Sequence, residues 1–522
     1  MEKKMNEKRV IYELLNTLSK TLMSLQEEVE IDKLNPSDVN LIREQYDIIK
    51  KRNAEQELYI IASQVSENVA IFIGLYSFLW RCVSDQILIK DMIYYIEHHN
   101  MENKEYWLLN ILMNYSADAF MRSKKNTSKE RQFTRQILQC CIQQMLKNNK
   151  IMDLKYIPIE NRNENRIVIL TNQFLGQGHA PTYIVTNIYN ALKNIGKEPY
   201  LLVWNENQFE SSVYGNLKYA YLPDKILAIL WNDMGIKGMQ FFMSPENPEH
   251  FMHMLSKIIQ INPKFVWYIG GISISYPIVS KITTVAAMGC TSDYQIGDSQ
   301  IYLNYFRGTN ENRKEQEEEI RQRGSTPISV ILPKKIYPVN EKITKEDLGL
   351  PEGKLIALIG NRLEQEITKE VVDYLQHILQ SAKDTYIVLV GEMRDVEKKF
   401  SMEVFKNRVI PLGYQEGEKY ATAVSMCDMI FNPPRKGGGS TAGLSVRYKI
   451  PLMTLGDCDV ASIMPAECIC TNAEELQEKT IRLMTDDKYY NFVKEELKKI
   501  NAEDDSWEYC VSKVVKQIEE VL

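Results

Sequence analysis

The stretch Phe431–Leu452, FNPPRKGGGSTAGLSVRYKIPL, decides the reading of this chain. It sets three consecutive glycines, Gly437, Gly438 and Gly439, directly before Ser440 and Thr441. The apolar run Met429-Ile430-Phe431 predicts a strand leading in, and Ala442–Tyr448 predicts a helix leading out. Glycine lets the backbone approach a ligand closely. The unpaired N–H groups of a helix start, at the positive end of its dipole, favour a phosphate. A phosphate-bearing ligand would therefore dock where strand becomes helix. Taken alone, the same residues read equally well as a flexible turn before an ordinary helix.

Around this stretch, strands predicted at Leu355–Ile359, Tyr386–Val390 and Val409–Leu412 alternate with helices at Ile367–Leu379 and Gly417–Ser425. Helices at Ala473–Thr485 and Lys488–Ile500 follow. Upstream, beyond a linker at Pro333–Thr344, a first alternation has strands at Ile167–Leu170, Pro199–Trp204, Phe265–Ile269 and Ser329–Leu332, and a helix at Tyr183–Ile195. Two such alternations predict an α/β protein with two Rossmann-like, doubly wound lobes. Before Arg162 the pattern is helical throughout. Val10, Leu14, Leu15, Leu18, Leu22 and Leu25 recur at helical spacing, as do Ile71, Leu75, Phe78, Leu79 and Cys82, and Arg122–Glu130 reads as a loop. The expected domains are an all-α domain over 1–150, a first lobe over 162–333 and a second over 345–500. A C-terminal helix within 501–522 is expected to pack back on the first lobe. The charged run Glu311–Arg323 reads as a solvated helix or loop.

The bulk numbers fit this plan. A chain of 522 residues suggests roughly three domains of ~150 residues. A composition 44% hydrophobic and 25% charged predicts a soluble globular protein. The net charge of -6, with both signs mixed along the chain, argues against a nucleic-acid partner. Nine cysteines without a Cys-x-x-Cys pair predict reduced thiols and a cytoplasmic location. The polar start MEKKMNEKRV lacks an apolar signal core. Val69–Trp80 is too short to span a bilayer, so at most peripheral membrane contact is expected.

Residues 334–500 resemble the donor lobe of a GT-B glycosyltransferase of the family 4-like kind. DLGLPEGKLIALIGNRLE resembles the entry to that lobe, where a strand ends in Gly-Arg-Leu; here it ends Gly360-Asn361-Arg362-Leu363. YIVLVGE resembles its second strand, RVIPLGYQEGEKYATAVSMCDMIFNP its third and fourth, and GGGSTAGLSVRYKIPLMTL its donor diphosphate loop. RIVILTNQFLGQGHAPT resembles, more weakly, the start of the acceptor lobe, and the helical residues 1–150 lie outside the likeness. The resemblance implies that Arg362 grips the donor diphosphate, as a permanently charged guanidinium can do bidentately. Arg435 or Lys436, the loop Gly437–Thr441 and the backbone around Leu412–Tyr414, beside the base, would complete the donor site. Two departures stand out. The lysine common five residues after that arginine is Ile367 here, leaving Arg435, Lys436 or Lys369 as the second cation. The paired glutamates spaced E-x7-E fall near Lys436–Gly438 and near Ser445, neither acidic.

On the acceptor side the resemblance places the loop carrying Gly176, Gly178 and His179 near the transferred sugar. His179 is a candidate general base, because imidazole titrates near neutrality; a histidine capping a helix start is the alternative. Asp293 is a weaker candidate base and a turn aspartate otherwise. Gly270 and Gly271, after a strand, either admit an acceptor or form a turn. His250 and His253 share a helical face, but no third ligand accompanies them, so a structural role is expected; His98-His99 reads the same way.

The resulting expectation is a glycosyltransferase of the hexosyltransferase type. It would move a sugar from a nucleotide-diphosphate sugar, such as a UDP-sugar, to a saccharide or protein acceptor, in polysaccharide biosynthesis or protein glycosylation. No cofactor or essential metal is expected. The helical domain is expected to bind the acceptor, a protein partner or a second copy. A GT-B-shaped nucleotide-sugar epimerase and a non-catalytic binding protein remain as alternatives.

Overall fold

A computed structural model describes residues 2–24, 36–66, 69–83, 85–98, 128–148, 151, 153–176, 180–205, 222–242, 249–290, 294–304, 311–333, 337–360, 363–393, 396–415, 417–435, 438–456, 458, 460–461, 463–500 and 506–522. The chain divides into two compact units: Met1–Asn304 with Glu315–Ile328 and Val511–Leu522, and Tyr305–Lys314 with Ser329–Cys510.

In the first unit, β1 (Asn163–Thr171), β2 (Glu198–Asn205), β3 (Gly238–Phe242), β4 (Pro263–Gly270), β5 (Val285–Gly289), β6 (Ile301–Asn304) and β7 (Thr326–Ser329) form one sheet in the order β3-β2-β1-β4-β5-β6-β7. From β3 to β6 the pairings are parallel. Ile167 to Leu170 have no exposed surface, as expected for a strand covered on both faces. The predicted strand Ser329–Leu332 is a correction. The ladder runs over Thr326–Ser329, and the apolar residues Val330 and Leu332 are buried beyond its end.

In the second unit, β8 (Lys354–Ile359), β9 (Thr385–Val390), β10 (Val409–Gly413), β11 (Met429–Phe431), β12 (Leu452–Leu455) and β13 (Ile469–Cys470) are parallel in the order β10-β9-β8-β11-β12-β13. The two sheets share one winding: strand order reverses beside the first strand of each. That reversal opens a crevice at the carboxyl ends, between β1 and β4 in one unit and between β8 and β11 in the other.

Every described element before residue 151 is helical. Its core is largely aliphatic around an aromatic stack, with Phe72 on Tyr76 and on Tyr95 at ring-centroid distances of 4.4 and 3.9 Å. This core is continuous with that of the first sheet. The helix Ser128–Asn148 is the joint: Leu138 is fully buried, Arg131 pairs with Glu315 and Glu319 at 3.0 and 2.6 Å, and Arg135 pairs with Asp298. Two expectations change. The helix takes in Ser128–Glu130, which the sequence reads as loop; 122–127 lie outside the described residues. The charged run is a helix, Glu311–Gln322, and is not solvated all round. Gln316 and Ile320 are 3% and 1% exposed, and the i,i+4 carboxylates of Glu315 and Glu319 converge on one guanidinium. The last helix, Trp507–Glu519, buries Val511, Val514 and Ile518, and Glu519 pairs with Lys197 and Lys264 of the first lobe.

Candidate functional site

The crevice between β8 and β11 is built around one arginine. β11 ends at Phe431, and Asn432 follows with 2% of its surface exposed. Asn432 Nδ2 donates to Thr454 Oγ1 at 3.0 Å, which leaves its Oδ1 to accept from Arg435 Nε at 2.8 Å. Arg435 Nη1 donates to Glu366 Oε2 at 2.5 Å. Glu366 closes the short helix Leu363–Glu366 that follows β8, so the pair spans the crevice from one carboxyl end to the other. Both side chains are largely buried, 12% and 22% exposed.

Glycines make room for this arrangement. A Cβ at Gly360 would lie 2.5 Å from Glu366 Oε2 and 2.7 Å from Arg435 Nη1. Gly438 has φ 111°, and a Cβ there would lie 2.8 Å from Asn432 Oδ1 and from Val460 Cγ2. The helix behind it, Gly439–Tyr448, begins three residues earlier than the sequence predicts, so Gly439 and Ser440 stand in its first turn. Its opening N–H groups have no acceptor within the helix. Thr441, expected to offer its hydroxyl to a ligand, is 4% exposed and hydrogen-bonded to Tyr420, whose phenol pKa is pushed up by burial.

The two departures from the glycosyltransferase pattern have local causes. Ile367, at the lysine position, is fully buried in the core of the second lobe. Ser445, at the second glutamate position, has no exposed surface and donates to Ile450 O at 2.6 Å, tying off the helix end. Lys369, the more distant cation, is exposed in the first turn of Lys369–Ser381. Beside the crevice, Gly391 N donates to Gly413 O at 2.9 Å, joining the ends of β9 and β10. Leu412 flanks Gly413 on one side, and Tyr414, 52% exposed, flanks it on the other.

In the first lobe the described residues at the β1 and β4 ends meet through backbone and neutral side chains. Gly271 N donates to Asn172 Oδ1 at 3.2 Å, and Tyr268 Oη donates to Gly271 O at 2.7 Å. A Cβ at Gly270 would lie 2.3 Å from Asn172 Oδ1, and Gln295 Nε2 donates to Gly270 O at 2.8 Å. Gly270 thus has a structural reason to be glycine, whereas a Cβ at Gly271 would make only ordinary contact, 3.4 Å from Asn172 Nδ2. Gly176 has φ 98° in open space, and Leu175 N is capped by Thr182 Oγ1 at 2.8 Å.

Arg362, Lys436, Gly437, Gly178, His179, Asp293 and His99 lie outside the described residues. His250 and His253 sit with ring centroids 6.3 Å apart, and His98 Nδ1 lies 2.7 Å from Tyr94 O. Among the described residues no cluster of His, Cys, Asp or Glu could hold a metal, and no helix is long and apolar enough to cross a membrane. Sequence reading missed Glu366, Asn432 and Asn172. Asn432 and Asn172 stand within two residues of a predicted strand's end, which was the available signal; Glu366 stands directly before the predicted helix Ile367–Leu379 and carried none.

No family model and no curated protein matches this chain. Among solved structures it is similar to a mutant O-GlcNAc transferase of Thermobaculum terrenum, at 10% identity over 99% of this chain and 98% of that one, with a TM-score of 0.46. It is also similar to HepE of Anabaena in complex with UDP-glucose, at 11% identity over 68% and 98%, TM-score 0.47. A UDP-GlcNAc 2-epimerase of Neisseria meningitidis bound to UDP-GlcNAc gives 11% identity over 68% and 99%, TM-score 0.42. The α/β class of two doubly wound lobes rests on the two sheets themselves.

Proposed function

We propose that the chain is a glycosyltransferase that takes a sugar from a nucleoside diphosphate sugar, with the diphosphate held at the carboxyl end of β8 and β11. One observation carries this reading: a guanidinium fixed from both sides of a strand-order reversal, next to a positive-φ glycine that opens a ten-residue helix. Planar guanidinium and helix-start amides are complementary to phosphate oxygens. In such a site the protein's work is to stabilise the charge that grows on the departing diphosphate, a large catalytic contribution wherever donors are preorganised. Arg362, adjacent in sequence to β8, is assigned to the same diphosphate. A hexose is the expected cargo and a saccharide or protein the expected acceptor, with His179 as candidate base and no metal required.

Calorimetric titration with UDP, GDP and ADP, each with and without EDTA, tests the reading. Binding of one nucleoside diphosphate, followed by its acceptor-dependent release from the matching sugar donor, is the expected result. Donor turnover to a new sugar without acceptor would indicate an epimerase, and the absence of nucleotide binding would remove the reading altogether.

A further inference from the structure

The carboxylate of Glu366 lies where the diphosphate is assigned, and that assignment does not use it. We propose that Glu366 is a positioning residue for the diphosphate: it locks the Arg435 guanidinium so that the Nη2 edge is presented to the anion. The proposal rests on the nucleotide-sugar reading above.

Arg435 has three nitrogens, and two are anchored from opposite sides of the crevice. Nε is held by Asn432 Oδ1 from the β11 side and Nη1 by Glu366 Oε2 from the β8 side. Nη2 has no acceptor among the described residues, and a Cβ at Gly438 would lie 3.3 Å from it, so it faces the turn that opens the helix. Two fixed corners leave a planar guanidinium one orientation. An arginine ordered in advance loses little side-chain entropy when ligand arrives. The same carboxylate compensates the largely buried cation while no ligand is bound, since an unpaired buried charge is strongly unfavourable. Glu366 also stands four residues after Arg362 in the chain, so the pair ties the segment carrying one assigned phosphate arginine to the segment carrying the other. A salt bridge serving the fold alone would have no need to leave one edge open toward helix-start amides.

The test titrates the full chain with inorganic pyrophosphate and with UDP, and compares Glu366→Ala, Glu366→Gln, Arg435→Ala and the double variant Glu366→Ala/Arg435→Ala, with a melting curve for each. Glu366→Ala is expected to weaken both ligands by about tenfold, the scale of one charge-assisted hydrogen bond to the anion broken or misaligned. Glu366→Gln, whose amide oxygen still accepts from Nη1, should recover most of that loss. Without Arg435 the alanine change should add nothing, because Glu366 acts through that side chain. If the alanine variant does not fold, Glu366→Asp makes the same comparison: it keeps the charge but withdraws the oxygen, and should lose affinity. Unchanged or tighter pyrophosphate binding in these variants, or an equal loss with and without Arg435, overturns the proposal. Should the unmodified chain bind pyrophosphate but no nucleoside diphosphate, the nucleotide-sugar reading fails while the variants still decide the role of Glu366. Binding of neither overturns both.

Discussion

The two lobes are wound alike and differ at the one place where winding creates a binding crevice. Between β1 and β4 the chain fills the crevice mouth with a neutral amide, Asn172, pressed against Gly270 and Gly271. Between β8 and β11 it places an ion pair, Glu366 and Arg435, with glycines on either side. Neutral groups in close contact satisfy each other and have no charge to offer. A guanidinium with one edge open does. Among the described residues the same topology thus carries a neutral, packed corner in one lobe and a charged corner in the other, a difference of the side chains set on the fold.

The largest expected effect breaks the charged corner directly. In Gly438→Val a β-branched side chain would have to occupy φ 111° and meet Asn432 Oδ1 and Val460 Cγ2 at 2.8 Å. Nucleotide binding should be abolished in calorimetry, with far-UV circular dichroism little changed. Full affinity in this variant would remove the Gly438 turn from the site. Next comes Arg362→Ala, which should cost about 2–5 kcal/mol of diphosphate affinity, typical of a desolvated charged contact. An unchanged dissociation constant for the diphosphate would leave Arg435 as the described cation of the site. Gly270→Ala should act on the other lobe alone. Its Cβ would crowd Asn172 Oδ1 at 2.3 Å and Tyr268 Oη at 2.7 Å, an overpacking expected to cost about 1–3 kcal/mol of stability. Nucleotide affinity should stay within about twofold, since the added methyl meets Asn172 and Tyr268 and no residue of the Glu366–Arg435 corner. A large loss of nucleotide binding in Gly270→Ala would mean that the comparison between corners is drawn wrongly.

How legible this was depends on what the signals encode. Strands such as Met429–Phe431 and helices such as Gly417–Ser425 and Ala473–Thr485 stand where periodicity puts them. A buried parallel strand is a continuous apolar run and a packed helix repeats every turn. Strands β3, β5, β6, β12 and β13 went unread; each is five residues or fewer, and a run that short is told from the end of a helix or a loop only by what flanks it. The burial of Glu311–Gln322 was unreadable, since its partner Arg131 is 184 residues away. The glycines of the site were legible as glycines, but their causes were not. Gly360 and Gly438 are small because of Glu366, Arg435 and Asn432, which come together only when β8 and β11 pair. The surroundings of Thr441 were hidden for the same reason: a hydroxyl after a glycine run suggests a ligand, and its hydrogen bond to Tyr420, on the preceding helix, cannot be read from the run.

The smallest expected effect separates the two units by pH. In the helical region joined to the first lobe, the carboxyl of Asp91 is pushed up to about 6, first by burial and then by the charges of Asp85 and Glu55. In the second unit Glu475 is held down to about 2, first by the Thr471 backbone N–H, then by the Thr471 hydroxyl and Lys479. The signs are opposite. A carboxyl with a raised folded pKa binds its proton more tightly in the folded state, so stability falls as pH rises from about 4, its unfolded value, through the folded value. A depressed one contributes stability at neutral pH that is lost on acidification through the unfolded value toward the folded one. Asp91→Asn removes the cost of a half-buried charge. It should therefore raise the stability of the first unit at pH 7.5 by about 1 kcal/mol after allowing for solvent screening, read as a higher melting temperature, and change it little at about pH 3, where both states already carry the proton. Glu475→Gln should show the reverse order, a loss at pH 7.5 that vanishes near pH 2. Equal shifts at both pH values for Asp91→Asn would mean that the carboxyl is not held in its acid form by burial.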